Sequence, residues 1–439
     1  MKKIFCCIVS VFLIFILCCC TGQAAVNSAT SNSTGQIGAS SQSLKGVELL
    51  NTLSNNMTGT EEAAFNATYK SAYNKFSFDF FKTVTAQKGN ENVCLSPLSA
   101  YMAFSLCFAG SDNLTEEEFN TSFGLSKEQA AEFCKALYIR FMQREYFDEN
   151  TKVNIANSVW INDAYAQYVK SAYLEKATNS FNAPIYKADF SNENTVAAIN
   201  KWCSDNTDGF IDKIIEELAP DGVMALINAL LVEAQWRTQY TDTYKSTFVN
   251  KDISEKQVDY LCDTLSSFYQ AEDAKAFKLE LCDGFSFVGI RPNDGVSIDD
   301  YCNGLTSARI NALLSNEVNG YKVNTRVPEF KNDFEIELKI PMTTLGLNSA
   351  FNSASADFKQ IAEIPGDNIY IEKAIQKTHF ELDKNGIKAA AVTYILIVPG
   401  AAIEEPQPEI NIYLDHPFVY MLMDDSTGLP LFIGTVKTL

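Results

Sequence analysis

Hydrophobic and polar positions follow two different rhythms along this chain. Tyr73, Phe76, Phe80 and Val84 recur at the three-to-four residue spacing that gathers side chains on one face of a helix. Ser96 followed by Pro97 predicts the start of another helix, because a serine side chain accepts orphan amide protons and proline suits a first turn. Gly110 is expected to close that helix. Residues 224–232 are almost continuously apolar, broken only by Asn228. That pattern predicts a buried central strand whose asparagine must find partners inside. Residues 410–414, 418–423 and 431–436 read as strands, with a turn over residues 424–428. Helices first and strands late predict an α+β arrangement of sheets with helices packed around them.

The stretch at residues 381–408 carries conflicting signals. Gly386 offers a hinge, and residues 387–398 contain neither proline nor glycine and end in a strand-favouring apolar run. A segment punctuated by proline and glycine follows, which can continue neither helix nor strand. Read with period two, one face carries Ile387, Ala389, Ala391, Thr393, Ile395 and Ile397. The other carries Lys388, Ala390, Val392, Tyr394, Leu396 and Val398. The first face could sink into a sheet without burying a charge. Its three isoleucines alone would contribute roughly 5–9 kcal/mol on burial, a sum comparable with the stability of a whole domain. A permanent strand, or an alanine-rich helix end leading into a loop, is the plainer reading of the same residues.

At the other terminus, Met1-Lys2-Lys3 precedes an apolar run over residues 4–17, too short for an ordinary membrane span of about 20 residues. A basic start and a short apolar core read as a secretory signal. Its end, Leu17-Cys18-Cys19-Cys20, resembles a bacterial lipoprotein cleavage box. That resemblance implies a lipid on Cys20, with Cys18 and Cys19 as poorer candidates and plain secretion as the alternative. Residues 1–20 are therefore expected to be a signal with lipobox. Residues 21–70 form a polar Ser/Thr/Asn-rich tether and lead-in, and residues 71–439 form one large domain.

Chemistry-bearing residues are sparse. There are two histidines, His379 and His416, and no GxSxG, HExxH, Walker or GxGxxG motif, which argues against an enzyme. No cofactor or metal is expected. Five of the twelve cysteines lie in the signal region; the other seven (Cys94, Cys107, Cys134, Cys203, Cys262, Cys282 and Cys302) are an odd set and are expected to be buried free thiols. Without Lys2 and Lys3 the chain carries 33 basic against 54 acidic residues, a surface that repels nucleic acid.

Several motifs, in order over residues 71–439, resemble the serpins, the loop-inserting serine-protease inhibitors. They are Asn92-Val93-Cys94-Leu95-Ser96-Pro97-Leu98-Ser99, Asn228-Ala229 with Trp236-Arg237-Thr238, Lys377, Glu381 and Gly386 ahead of the alanine tract, Asp415-His416-Pro417-Phe418, and Thr427-Gly428 through Leu431-Phe432-Ile433-Gly434. The resemblance implies three β-sheets surrounded by about eight or nine helices, with an exposed reactive loop. It implies a hinge at Glu381, Gly386, Ile387, Ala389, Ala390, Ala391 and Thr393. A polar "shutter" is implied beneath the sheet at Ser96, Ser99 and Asn228, and Gln376 stands where the family has a histidine, a change expected to weaken it. Asn228 reads equally well as a structural polar residue. By the family's spacing the reactive bond joins Gly400 to Ala401, with Ala402 as an alternative anchor. Small residues there suit an elastase-like serine protease. The acidic surface makes heparin an unlikely partner, and the lipid would hold the protein at the outer cell surface. Ile387 departs from the small hydroxylated residue usual at the first inserting position, which leaves a non-inhibitory serpin, acting as protease substrate or surface binding protein, as the alternative.

Overall fold

Helices begin where the sequence caps them. In the computed structural model, which describes residues 9–18, 47–50, 57, 65–142, 151–387 and 407–439, helix α1 (Ala67–Lys88) starts at Asn66, whose side chain accepts the amide proton of Tyr69. It buries Tyr73, Phe76, Phe80 and Val84, the face read from the sequence. Helix α2 (Pro97–Phe108) starts at Ser96, whose Oγ accepts the Ser99 amide at 3.1 Å, and every one of its residues is buried. It ends with Ala109 as its cap rather than at Gly110. A Cβ on Gly110 would come within 2.1 Å of Ile361 Cγ1, so that glycine serves close packing and not helix closure. Seven further helices are described: α3 (Asn113–Phe123), α4 (Lys127–Met142), α5 (Ser171–Phe181), α6 (Glu193–Asn206), α7 (Ile298–Gly304), α8 (Ser307–Ser315) and α9 (Lys339–Thr344).

The first sheet runs, edge to edge, β12 (Phe330–Glu337), β13 (Lys373–Leu382), β1 (Val9–Cys18), β6 (Val223–Gln235), β4 (Thr151–Asn162), β5 (Ile185–Ala188) and β2 (Val47–Leu49). A two-residue strand, β14 (Gly386–Ile387), also pairs with β6. Strand β6 is buried along its whole length. Met224, Leu226, Leu230 and Val232 join the main core, while Ala225, Ile227 and Ala229 join a second cluster with Trp160, Ile199 and Trp202. Burial on both faces is why this strand reads as a continuous apolar run instead of alternating.

The remaining strands form two sheets joined at a narrow seam. One part holds β15 (Glu409–Tyr413), β11 (Glu317–Pro328), β8 (Glu255–Gln270) and β7 (Tyr244–Val249). The other holds β9 (Ala274–Glu280), β10 (Phe285–Pro292), β16 (Phe418–Asp424), β17 (Leu429–Val436) and β3 (Val93–Leu95). The long β8 meets β9 only at Tyr269 and Gln270, so the third sheet is continuous with the second through two residues.

One strand was not expected. The apolar leader, read from sequence as a signal, lies at residues 9–18 between β6 and β13, antiparallel to both. Without a strand there, the facing edges of β6 and β13 would present unpaired amides and carbonyls in the middle of a sheet.

Candidate functional site

The hinge is built from the turn that follows β13. Asp383 accepts the backbone amide of Asn385 at 2.7 Å and its side-chain amide at 2.8 Å, closing a turn that carries the chain from β13 across to β6. Gly386 then pairs with Gln235 and Ile387 with Ala234. The glycine is required twice over. Its φ of 105° lies outside the range of other residues, and a Cβ would meet Trp236 N at 2.5 Å and Gln235 Cα at 2.7 Å. The buried Trp236 braces the turn by donating its indole N–H to the Asp383 carbonyl at 2.8 Å. Glu329, beside β12, accepts the Lys384 amide at 2.9 Å; burial pushes its carboxyl above the ordinary range.

A line of polar side chains crosses the middle of the first sheet. Ser99 Oγ, on α2, donates to Asn228 Oδ1; the Asn228 amide donates to Asn157 Oδ1 on β4 at 2.8 Å, and Asn157 donates to the Phe181 carbonyl at 2.9 Å. Gln376, fully buried on β13, donates to the Ser96 carbonyl at 3.0 Å and accepts the Ser96 amide at 3.3 Å. The Gln376 side chain thus binds β13 to the start of α2 twice. Asn228 and Gln376 stand in register with the same residue of β1, Leu13, one on each side.

Charged groups rim the hinge end. His379 on β13 lies against Asp333 of β12 through Nδ1, with Nε2 3.5 Å from Glu381. Lys331 reaches Glu381 at 2.5 Å, and Lys377 pairs with Glu335 at 2.6 Å. The ring of Phe210, in the segment after α6, lies 5.8 Å from the imidazole. Burial disfavours the imidazolium, yet the hydrogen bonds and charges of Asp333 and Glu381 outweigh it and push the His379 pKa up to about 9. Burial likewise opposes ionisation of Glu381, but His379 and Lys331 hold its carboxyl below the ordinary range.

A family model described as "Serpin (serine protease inhibitor)" matches residues 71–438. The chain is a serpin. Members of this family are generally protease inhibitors, although some are not inhibitory. Among its relatives, an uncharacterised serpin-like protein of Methanosarcina acetivorans is 29% identical over 382 residues, spanning 84% of this chain and 85% of the relative. Human neuroserpin is 26% identical over 86% of this serpin and 93% of its own length. The crystal structure of tengpin, a thermophilic serpin in its native state, aligns with a TM-score of 0.75 at 27% identity, covering 90% of this chain and all of the other. Thyroxine-binding globulin in complex with thyroxine shares the fold at 19% identity and a TM-score of 0.69, covering 84% and 98% of the two chains.

The structure thus brings Ser99 together with Asn228, and Ser96 with Gln376, while Glu381 and Gly386 stand at the two ends of the hinge turn. Ala389, Ala390, Ala391, Thr393, Gly400, Ala401 and Ala402 lie outside the described residues, as does Cys20. Asn157, Asp333, Glu329 and Lys331 escaped the sequence reading, since each is a lone polar residue whose partner lies far away in the sequence. Among the described residues no cluster of metal-ligating side chains occurs. Of the seven cysteines there, five are buried; Cys282 is half-buried and Cys262 exposed, contrary to the expectation for both. Burial pushes the Cys134 thiol up to about 12, so it behaves as an apolar group.

Proposed function

We propose that this serpin is a suicide-substrate inhibitor of serine proteases, with elastase-like enzymes as its targets. One observation carries the reading. Strand β14 pairs Gly386 with Gln235 and Ile387 with Ala234. Continued in that register, residues 389–398 would fall on Val232 through Val223, the same ten partners that β1 takes. The sheet therefore holds a berth of matching length, and the alanine-rich segment begins at its mouth. With residues 1–19 removed and Cys20 bearing the lipid at the outer cell surface, that berth is free.

The chemistry follows from the protease's own machinery. Its serine oxygen attacks the Gly400 carbonyl and the C–N bond to Ala401 breaks. The new amine leaves with a proton from the protease histidine, and an ester joins the two proteins. Water would normally hydrolyse that ester. Once cut, residues 388–398 are free to zip along β6 from β14 onward, drawing the acylated protease with them. Distortion of its oxyanion hole then strands the ester. The small residues around Gly400, Ala401 and Ala402 suit a narrow uncharged specificity pocket, whereas a basic-specific protease finds no anchor.

Ile387 favours a second reading, a non-inhibitory serpin that is cut without trapping, because a bulky first residue slows insertion relative to hydrolysis. The experiment separates the two. The chain lacking residues 1–19 is incubated with an elastase-type protease, the products are run on a denaturing gel, and the cut is mapped by mass. A covalent complex, a cut at Gly400–Ala401 or one residue beyond, and a raised Tm of the clipped protein are expected. Clean cleavage with no complex and no rise in Tm overturns inhibition and leaves the second reading.

A further inference from the structure

Strand β8 outruns both of its neighbours on one edge. It pairs with β7 as far as Tyr260 and with β9 only from Tyr269, while β11 follows its other edge. Rungs that exchange hydrogen bonds alternate along an antiparallel ladder. The Ala271 amide donates to the Ala274 carbonyl at 2.9 Å, which makes Tyr269 with Ala276 the next such rung and Ser267 with Lys278 the one after. Ser267 and Lys278 do not pair: the strands part there. Between them opens a cleft of about 390 Å³, walled by Thr264 and Ser267 of β8, Lys278 of β9, and Tyr240 from the segment after β6. Two sheet edges thus face one space, and an open edge is a template for another strand.

Charge narrows what could lie there. Asp263 accepts the Tyr240 hydroxyl at 3.0 Å and the Thr264 amide at 2.7 Å, and Glu317 accepts the Ser267 hydroxyl at 2.6 Å. Both line the cleft, and neither forms an ion pair among the described residues. A carboxylate can accept about four hydrogen bonds, so both keep lone pairs to offer. The other charges of the lining are already matched: Lys278 lies against Asp425, and Glu280 holds Arg237 at 2.8 Å.

We propose that this cleft is a docking site for an extended basic segment of a partner protein, which enters as a strand between β8 and β9 and sets an Arg or Lys side chain against Asp263 and Glu317. The two open edges select an extended backbone, because each supplies main-chain donors and acceptors at strand spacing. The two unmatched carboxylates select the side chain, and a guanidinium can meet them through several N–H groups at once. An acidic segment of the same shape is refused by repulsion.

The test uses the full chain, in which β1 fills the first sheet between β6 and β13 and leaves a probe no second gap to enter. A fluorescein-labelled peptide, Thr-Val-Thr-Arg-Thr-Val-Thr, is titrated and its anisotropy followed. Binding is expected, and the same peptide with Glu in place of Arg should not bind. Asp263→Asn combined with Glu317→Gln should weaken the Arg peptide about tenfold, as should raising the ionic strength from about 0.1 to about 1 M. Ser267→Trp, which fills the cleft, should abolish binding, and so should N-methylation of alternate peptide amides, which removes strand donors and keeps the charge. Where Asp263→Asn fails to fold, the exposed Glu317→Gln alone should weaken binding several-fold. Equal binding of the Glu peptide, or unchanged affinity in the carboxylate variants, overturns the site. Full binding by the N-methylated peptide would leave a cation site without a strand and overturns the docking mode. Self-association of the chain that Ser267→Trp abolishes would give the cleft to a second copy and overturns the partner.

Discussion

Replacing Gly386 with alanine probes the hinge where sterics leave no alternative. The new Cβ would sit 2.5 Å from Trp236 N and 2.8 Å from the Ala234 carbonyl oxygen, both backbone atoms that no rotamer can move aside. A φ of 105° adds strain of about 1–3 kcal/mol for any residue with a side chain. The cheapest response is to release β14 from β6, forfeiting pairs worth about 1 kcal/mol each. A loss of about 3 kcal/mol at the first two rungs means insertion must start without its nucleus. If about 2 kcal/mol of it appears in the barrier, zipping slows roughly 30-fold. Hydrolysis of the acyl-enzyme is untouched, so the partition shifts from trapping to turnover. The assay is the number of inhibitor molecules consumed per protease inactivated, read from complex and clipped bands on a denaturing gel. Gly428→Ala is the control, because its φ of 71° costs similar strain while nothing lies within 4 Å of the new Cβ. If Gly386→Ala traps protease with unchanged stoichiometry, β14 is not where insertion begins.

Other outcomes follow from the same geometry. Asn228→Ala should lower stability by about 3 kcal/mol, because Ser99 and Asn157 lose buried partners; an unfolding free energy from urea titration lowered by less than about 0.5 kcal/mol would show that solvent replaces them. The His379 cluster predicts a pH dependence. Its folded pKa of about 9 exceeds the usual 6.5, so its contribution is complete below about pH 6.5 and is lost as pH rises through about 9. The full shift corresponds to about 3 kcal/mol, and screening at the largely exposed Asp333 reduces it toward 1–2 kcal/mol, as an order of magnitude. Denaturation midpoints between pH 6 and 10 should fall in the unmodified protein and flatten in His379→Gln; parallel curves would assign the drop to other groups.

The parts of the fold legible in the sequence are those written locally. Ser96-Pro97 announces α2 because a cap needs only its own first turn, and residues 224–232 announce β6 because burial on both faces leaves an unbroken apolar run. Gly110 was misread because its constraint comes from Ile361, some 250 residues away. The polar partners of the site were illegible for the same reason: Asn157, Asp333 and Glu329 gain meaning only from the strands beside them. The apolar leader illustrates the limit most clearly. A run of ten residues with bulky side chains fits a signal and a central strand equally well, and only the unfilled edges of β6 and β13 show where such a run can lodge.

The length of β6 has a mechanical consequence. Ten residues of antiparallel strand span on the order of 34 Å, and a chain advancing rung by rung from the Gly386 end travels in one direction along that rail. A protease fastened to the trailing end would be hauled from one pole of the sheet toward the other. On the inhibitor reading, truncating β6 or β13, the strands that flank the berth, would shorten that stroke, and with it the leverage available to deform a captive enzyme.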